Sequence, residues 1–200
     1  MTNHEQTVFV VDDDEAVRDS LSVLLEATGF RVEAHESAKA FLASGASEKR
    51  GCVIADIRMP DMDGLELQLE MKARGYKLPV IIMTGHGDVP LAVRAMKEGA
   101  IDFLEKPYDT SVLLDSIKLA LDMDAGAVGA SKPVQEKLST LTPREKEVLD
   151  LVLMGKLNKN VAHDLGISSR TVEIHRGRLM QKLGAKNLAE LIRMFLPVHK

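Results

Sequence analysis

The chain contains a single cysteine, Cys52, among 200 residues. That excludes an intramolecular disulfide and any cysteine-rich zinc site. Cys52 stands in an apolar run and reads as a small buried hydrophobe. No apolar run approaches the roughly 18 residues that a spanning helix needs. The opening residues MTNHEQTVFVV show no basic region followed by an apolar core, so no signal peptide is expected and a cytoplasmic, non-membrane location is anticipated. There is no internal repeat. What is present is a hydrophobic fraction of 45%, enough for real cores, and a length comfortable for two domains.

Charge is divided unevenly. Residues 1–125 carry 13 Lys+Arg against 23 Asp+Glu, a net of −10, whereas residues 126–200 carry 13 against 7, a net of +6. An acidic front and a basic back suggest two modules with different partners, the basic one a candidate for nucleic acid. In the front half, short β-rich runs alternate five times with helical patterns. The runs are Thr7–Val11, Phe30–His35, Cys52–Asp56, Leu78–Met83 and Ile101–Leu104. Such alternation predicts an α/β doubly wound parallel five-stranded sheet over residues 1–122. Residues 123–137, rich in small residues, read as a linker into which the fifth helix could extend. Residues 138–200 read as a small all-α, four-helix domain. Its first helix has a strong start at Thr142-Pro143-Arg144-Glu145, and a helix-turn-helix spans about 158–177.

The functional candidates of the front half are the strand ends. Asp12 and Asp13 follow strand one, Asp56 ends strand three, Thr84 follows strand four and Lys106 strand five. With strand order 2-1-3-4-5 these side chains converge at the switch point of the sheet. Taken singly, each has a plainer reading: Asp12–Asp14 as helix caps, Thr84 as a turn residue, Lys106 as a solvated lysine. Taken together, crowded carboxylates repel one another, and a hard divalent cation relieves the repulsion. Mg²⁺ (or Mn²⁺) suits a few carboxylates plus water and a phosphate oxygen. Phosphoryl transfer needs positioning and charge neutralisation above all. Asp56, the central carboxylate, is the expected nucleophile and phosphoacceptor. Lys106 supplies a point charge and Thr84 a hydroxyl donor to the phosphoryl oxygens.

The motifs VVDDD, VIADIRMPDMDG, VIIMTGHGD and FLEKP resemble a bacterial response-regulator receiver domain, over roughly residues 5–125. The resemblance implies that Asp12, Asp13 and Asp56 hold the metal, together with the Arg58 backbone carbonyl, and that Thr84 and Lys106 contact the phosphoryl group. It implies a cis Lys106–Pro107 peptide. It also makes Thr84 and Phe103 the switch pair, although an aromatic in a strand is ordinarily core. Asp14 and Asp63 are expected to cap helices or line the pocket.

In the back half, LTPREKEVLDLVLMGKLNKNVAHDLGISSRTVEIHRGRLMQKL resembles the four-helix output domain of LuxR/NarL-type regulators over about residues 138–196. Ser169–Leu183 is then the recognition helix. The resemblance puts base-reading positions at Arg170, Glu173, Ile174 and Gly177. A glutamate can accept from a cytosine amino group and an isoleucine can touch a thymine methyl, but Glu173 could equally pair with Arg170 or Arg176. Lys159, Thr171, Arg176, Arg178 and Lys182 are expected on phosphates. His175 reads as packed or surface, without a metal role. Leu188, Leu191, Ile192 and Phe195 on the last helix serve either dimerisation or simple core packing.

The whole pattern resembles the FixJ branch of two-component transcriptional regulators. That implies a FixL-type sensor histidine kinase, double-stranded promoter DNA and RNA polymerase as partners. It also implies a homodimer when phosphorylated, activation of transcription, and nitrogen-fixation or microaerobic genes as possible targets. The expected protein is a switch and not an enzyme. Two other readings stand beside it: an Mg²⁺-dependent phosphatase of the haloacid-dehalogenase type, whose D-x-D spacing Asp12–Asp14 shares, and a DNA-binding regulator independent of phosphorylation.

Overall fold

The computed structural model describes residues 6–85, 89–124 and 134–195. The chain divides into two compact units, residues 1–86 with 98–128, and residues 87–97 with 129–200.

The first unit is built on five parallel strands, β1 (Gln6–Val11), β2 (Arg31–His35), β3 (Arg50–Asp56), β4 (Val80–Thr84) and β5 (Asp102–Glu105), in the order β2-β1-β3-β4-β5. They are connected through helices α1 (Glu15–Ala27), α2 (Ala38–Ala43), α3 (Gly64–Ala73) and α4 (Val89–Glu98), and β5 is followed by α5 (Thr110–Asp124). The apolar runs are continuous, not alternating, because both faces of the sheet are covered. Val8, Val10, Cys52, Ile54, Ile81 and Met83 pack with Leu21 and Leu25 of α1 and with Leu113, Ile117 and Ala120 of α5. On the other face Phe9 meets Phe41 of α2 edge-on at 5.6 Å. Each fully buried Leu or Ile here stabilises the fold by roughly 1.5–3 kcal/mol.

Strand register sets the chemistry. Val11 is level with Ala55, so the next residues, Asp12 and Asp56, leave adjacent strands side by side. Asp56 is level with Met83, and Thr84 with Glu105, which delivers Thr84 and Lys106 to the same edge. The Asp14 side chain caps α1 by accepting from Ala16 N at 2.9 Å, and Asp63 caps α3 with Glu66 in a reciprocal capping box.

In the second unit, α6 (Val134–Ser139), α7 (Pro143–Leu153), α8 (Asn158–Leu165), α9 (Ser169–Leu183) and α10 (Leu188–Phe195) follow in order. The sequence reading placed a linker over 123–137; helix occupies both of its described ends, through Asp124 and from Val134, and residues 125–133 lie outside the described residues. The core joins Val148, Leu149 and Val152 of α7 to Val161 of α8 and to Val172, Leu179 and Leu183 of α9. The chain turns between α8 and α9 at Gly166, whose φ of 63° is a conformation that costs glycine little.

The capping box of α7 has a third partner. Thr142 Oγ1 accepts from Glu145 N at 3.2 Å, and Glu145 Oε2 accepts from Thr142 N at 2.8 Å. The same buried carboxylate also receives Lys182 Nζ of α9 at 2.7 Å, and that ammonium donates to Thr140 O at 3.1 Å. The Lys182 hydrogen bond and the backbone at Thr142 together pull the Glu145 carboxyl down to a pKa of about 2, from an ordinary 4.5. A carboxyl depressed on folding adds stability above its ordinary range and loses it as pH falls. The second unit is therefore expected to lose stability between pH 4.5 and about pH 2, and the acid limb should be absent in Glu145→Gln. That variant should also cost roughly 2 kcal/mol at neutral pH, below the full price of a buried pair because Lys182 keeps some access to water. Urea unfolding followed by circular dichroism across pH checks both; an unchanged acid limb in the variant would contradict the pairing.

Candidate functional site

The pocket at the carboxyl edge of the sheet is organised by one ammonium. Lys106 Nζ donates to Asp56 Oδ1 at 2.5 Å and to Asp12 Oδ2 at 3.0 Å. Each carboxylate has a second anchor. Asp56 Oδ2 accepts from Arg58 N at 2.6 Å, and Asp12 Oδ1 accepts from Asp14 N at 2.9 Å. Asp12, Asp56 and Thr84 are buried, whereas Asp13 is exposed at the rim. The Thr84 hydroxyl donates to Gly85 O at 3.3 Å. Phe103 is half-buried in β5, and the Lys106–Pro107 peptide is cis.

Burial raises the Asp12 carboxyl above its ordinary range; the Asp14 amide and Lys106 oppose the shift, and the charge of Asp56 adds to it. Burial alone would lower the Lys106 ammonium, but its hydrogen bonds to Asp56 and Asp12 win, and its pKa is raised. Two carboxylates held this close and sharing one cation form a site that favours further positive charge.

The donor set is hard oxygen: the Asp12 and Asp56 carboxylates converge on one ammonium. Among the described residues no three acidic, histidine or cysteine side chains converge as a preformed metal cage. That chemistry fits Mg²⁺, which takes one or two carboxylates and keeps several waters, better than a metal demanding an all-protein shell.

Gly64 is a residue whose part the sequence did not reveal. A Cβ there would stand 2.4 Å from the Asp56 carbonyl oxygen. Only glycine lets the start of α3 sit directly under the phosphoacceptor candidate. Arg18 was missed as well; it reaches back from α1 to the Asp12 carbonyl at 2.8 Å. A motif spacing carries no sign of either contact.

The second candidate surface is α9. The Ser168 hydroxyl caps it, accepting from Thr171 N at 3.1 Å. Lys159, Arg170, Glu173, Ile174 and Arg178 are exposed, and Thr171 is half-buried. Glu173 pairs with Arg170 at 3.0 Å, one of the alternatives its position left open. Arg176 is half-buried and donates to Asn158 Oδ1 at 2.7 Å, tying α9 to α8. Lys182 is held by Glu145, so in the free protein it fastens α9 to α7. His175 is half-buried. On α10, Leu191 joins the core of the unit, Leu188 and Phe195 pack against it, and Ile192 is buried. Leu188 and Phe195 stay half-buried.

Comparison with known proteins agrees with both halves. Residues 8–118 match the response regulator receiver domain family, and residues 139–195 match the family of bacterial regulatory proteins of luxR type. The chain belongs to the response regulators of two-component systems, with a receiver domain followed by a LuxR-type DNA-binding domain. Within that family it is FixJ-like. It is 49% identical over 192 residues to the transcriptional regulatory protein FixJ of Azorhizobium caulinodans, covering 94% of this chain and 91% of that protein. It is 45% identical to FixJ of Rhizobium meliloti, covering 96% of each chain. Full-length FixJ from B. japonicum superposes with a TM-score of 0.59 at 42% identity, covering 96% of each chain. Membership of this family implies a sensor kinase and DNA as partners, and sets the regulator reading above the phosphatase one. Among the described residues no helix is long and apolar enough to cross a membrane.

Replacing Lys106 with methionine leaves Asp12 and Asp56 facing each other without their shared cation. The Asp12 carboxyl is then expected to titrate higher still, read by carbon-13 NMR of the side-chain carboxyl against pH. An unmoved titration would contradict the bridging geometry.

Proposed function

We propose that this chain is a phosphorylation-activated transcriptional regulator whose phosphoacceptor is Asp56. The reading rests on one observation above the others: Asp56 is held beside Asp12 by the Lys106 ammonium, in a chain that also carries a LuxR-type domain. An Asp56 carboxylate oxygen attacks the phosphorus of a phosphohistidine on a sensor histidine kinase. The phosphorus–nitrogen bond breaks, the histidine leaves, and Asp56 carries an acyl phosphate. Asp12, Asp13, Asp56 and the Arg58 carbonyl would hold Mg²⁺ or Mn²⁺, which would supply charge neutralisation for the phosphoryl oxygens. Lys106 then exchanges its carboxylate partner for a phosphoryl oxygen, and the Thr84 hydroxyl turns towards the same group.

With Thr84 drawn in, Phe103 repacks, and the surface of the first unit around β5 becomes the dimerising face. This is a population shift: phosphorylation favours the dimerising state because only that state gives Thr84 and Lys106 the new contacts. Dimers place two copies of α9 on a two-fold promoter site, where Arg170, Glu173 and Ile174 read bases and Lys159, Thr171, Arg176, Arg178 and Lys182 meet phosphates. The bound regulator engages RNA polymerase and activates transcription in the cytoplasm. The similarity to FixJ supports a FixL-type kinase as donor and nitrogen-fixation or microaerobic genes as targets.

Incubation with a small phosphodonor and Mg²⁺, followed by intact mass and peptide mapping, is expected to place one phosphoryl group on Asp56 and none on Asp56→Asn. A fully phosphorylated variant would refute the assignment. On the DNA side, Arg178→Ala is expected to lower affinity about equally for all sequences and to reduce the slope of log affinity against log salt by about 1. An unchanged slope would remove Arg178 from the phosphate contacts.

A further inference from the structure

Gly177 lies in the interior of α9, a 15-residue helix, where glycine is a poor choice. Nothing in the fold asks for it. It has no positive φ, and a Cβ placed there would meet no described atom within 4 Å. This sets it apart from Gly166 and Gly184, which close α8 and α9 at φ of 63° and 70°, and from Gly64, where a Cβ would collide with backbone. An alanine at 177 would suit the helix better and touch nothing.

Its angular position is informative. At about 100° per residue, the exposed residues of α9, Ser169, Arg170, Glu173, Ile174, Gly177, Arg178, Gln181 and Lys182, fall within an arc of roughly 220°. The buried residues Val172, Leu179 and Leu183 occupy the opposite side. Gly177 sits within about 30° of the middle of the exposed arc, well away from its own core. Longer side chains flank it on both sides: Arg170, Glu173 and Ile174 before it, Arg178 and Gln181 after. The surface is a notch in which the helix backbone itself is the outermost feature.

We infer that Gly177 is the point of closest approach between α9 and duplex DNA. The absent side chain lets the helix seat deeply in the major groove, so that the residues around the notch reach base edges on either side. The base pair opposite Gly177 meets helix backbone or water, and makes no side-chain hydrogen bond. The inference rests on α9 being the recognition helix. It assigns Gly177 a role opposite to that of a contact residue: any side chain long enough to touch the groove floor lifts its neighbours away from the bases.

The test uses the full-length chain, treated with a small phosphodonor, on duplexes that the wild type selects from a random-sequence pool. The variants are Gly177→Ala, Gly177→Gln and Gly177→Leu. All three introduce better helix formers, so the thermal midpoint of the second unit should rise, by about 4–8 °C for alanine. Affinity for the selected duplexes should fall with side-chain length, within about threefold for alanine and roughly tenfold or more for leucine. Binding to a random duplex at low salt, which depends on phosphates, should change little. Stabilised variants that bind the selected duplexes like the wild type would overturn the inference. So would an equal loss on both kinds of duplex. Should leucine prevent folding, the alanine and glutamine variants decide by the same two criteria. A wild type that selects no duplex would instead refute the reading of α9, before any variant is compared.

Discussion

The Lys106 ammonium, shared between Asp12 and Asp56, is the interaction on which the site of the first unit depends. It joins the ends of β1, β3 and β5, three strands separated in sequence, at one edge of the sheet. The arrangement is poised, not inert. Burial pushes the Asp12 carboxyl up, towards its neutral form, and Lys106 opposes that shift, while the paired carboxylates hold the Lys106 ammonium charged. A phosphoryl group on Asp56 would alter that balance directly, because it adds charge and acceptor oxygens where Lys106 already points.

The same economy operates in the second unit. Glu145 caps α7 and holds Lys182 of α9, while Arg176 holds Asn158 of α8. Two charged residues of the recognition-helix candidate therefore also position that helix. Arg170, Glu173, Ile174 and Arg178 are exposed. Division of labour within one helix explains how a strongly charged α9 can be both well anchored and available.

Much of this was legible in the sequence. The five apolar runs, the glycines that close helices, and the capping residues Asp14, Asp63 and Thr142 are local signals, and the elements stand where those signals put them. The convergence of Asp12, Asp56, Thr84 and Lys106 followed from strand ends plus a sheet order that crossover rules favour. What escaped was long-range and side-chain specific. Glu145 is legible as a capping residue, but its partner Lys182 lies 37 positions away, and no local pattern pairs the two. The Arg176–Asn158 bond, the Arg18 contact to Asp12 and the close approach of Gly64 to Asp56 each depend on two elements meeting at a particular angle. The apolar stripe of α10 is compatible with two uses, and its pattern alone does not say that Leu191 and Ile192 are buried while Leu188 and Phe195 are half-buried. The helix α6 stood in a stretch read as linker, where six helical residues are too few to give a clear periodic signal.

The central claim is that chemistry at Asp56 controls binding by α9. The most direct measurement is the affinity of the whole chain for one selected duplex, at fixed salt, with and without a small phosphodonor. The account predicts markedly tighter binding after phosphorylation, accompanied by a doubling of solution mass. Equal affinity in the two states, with Asp56 demonstrably phosphorylated, would contradict it.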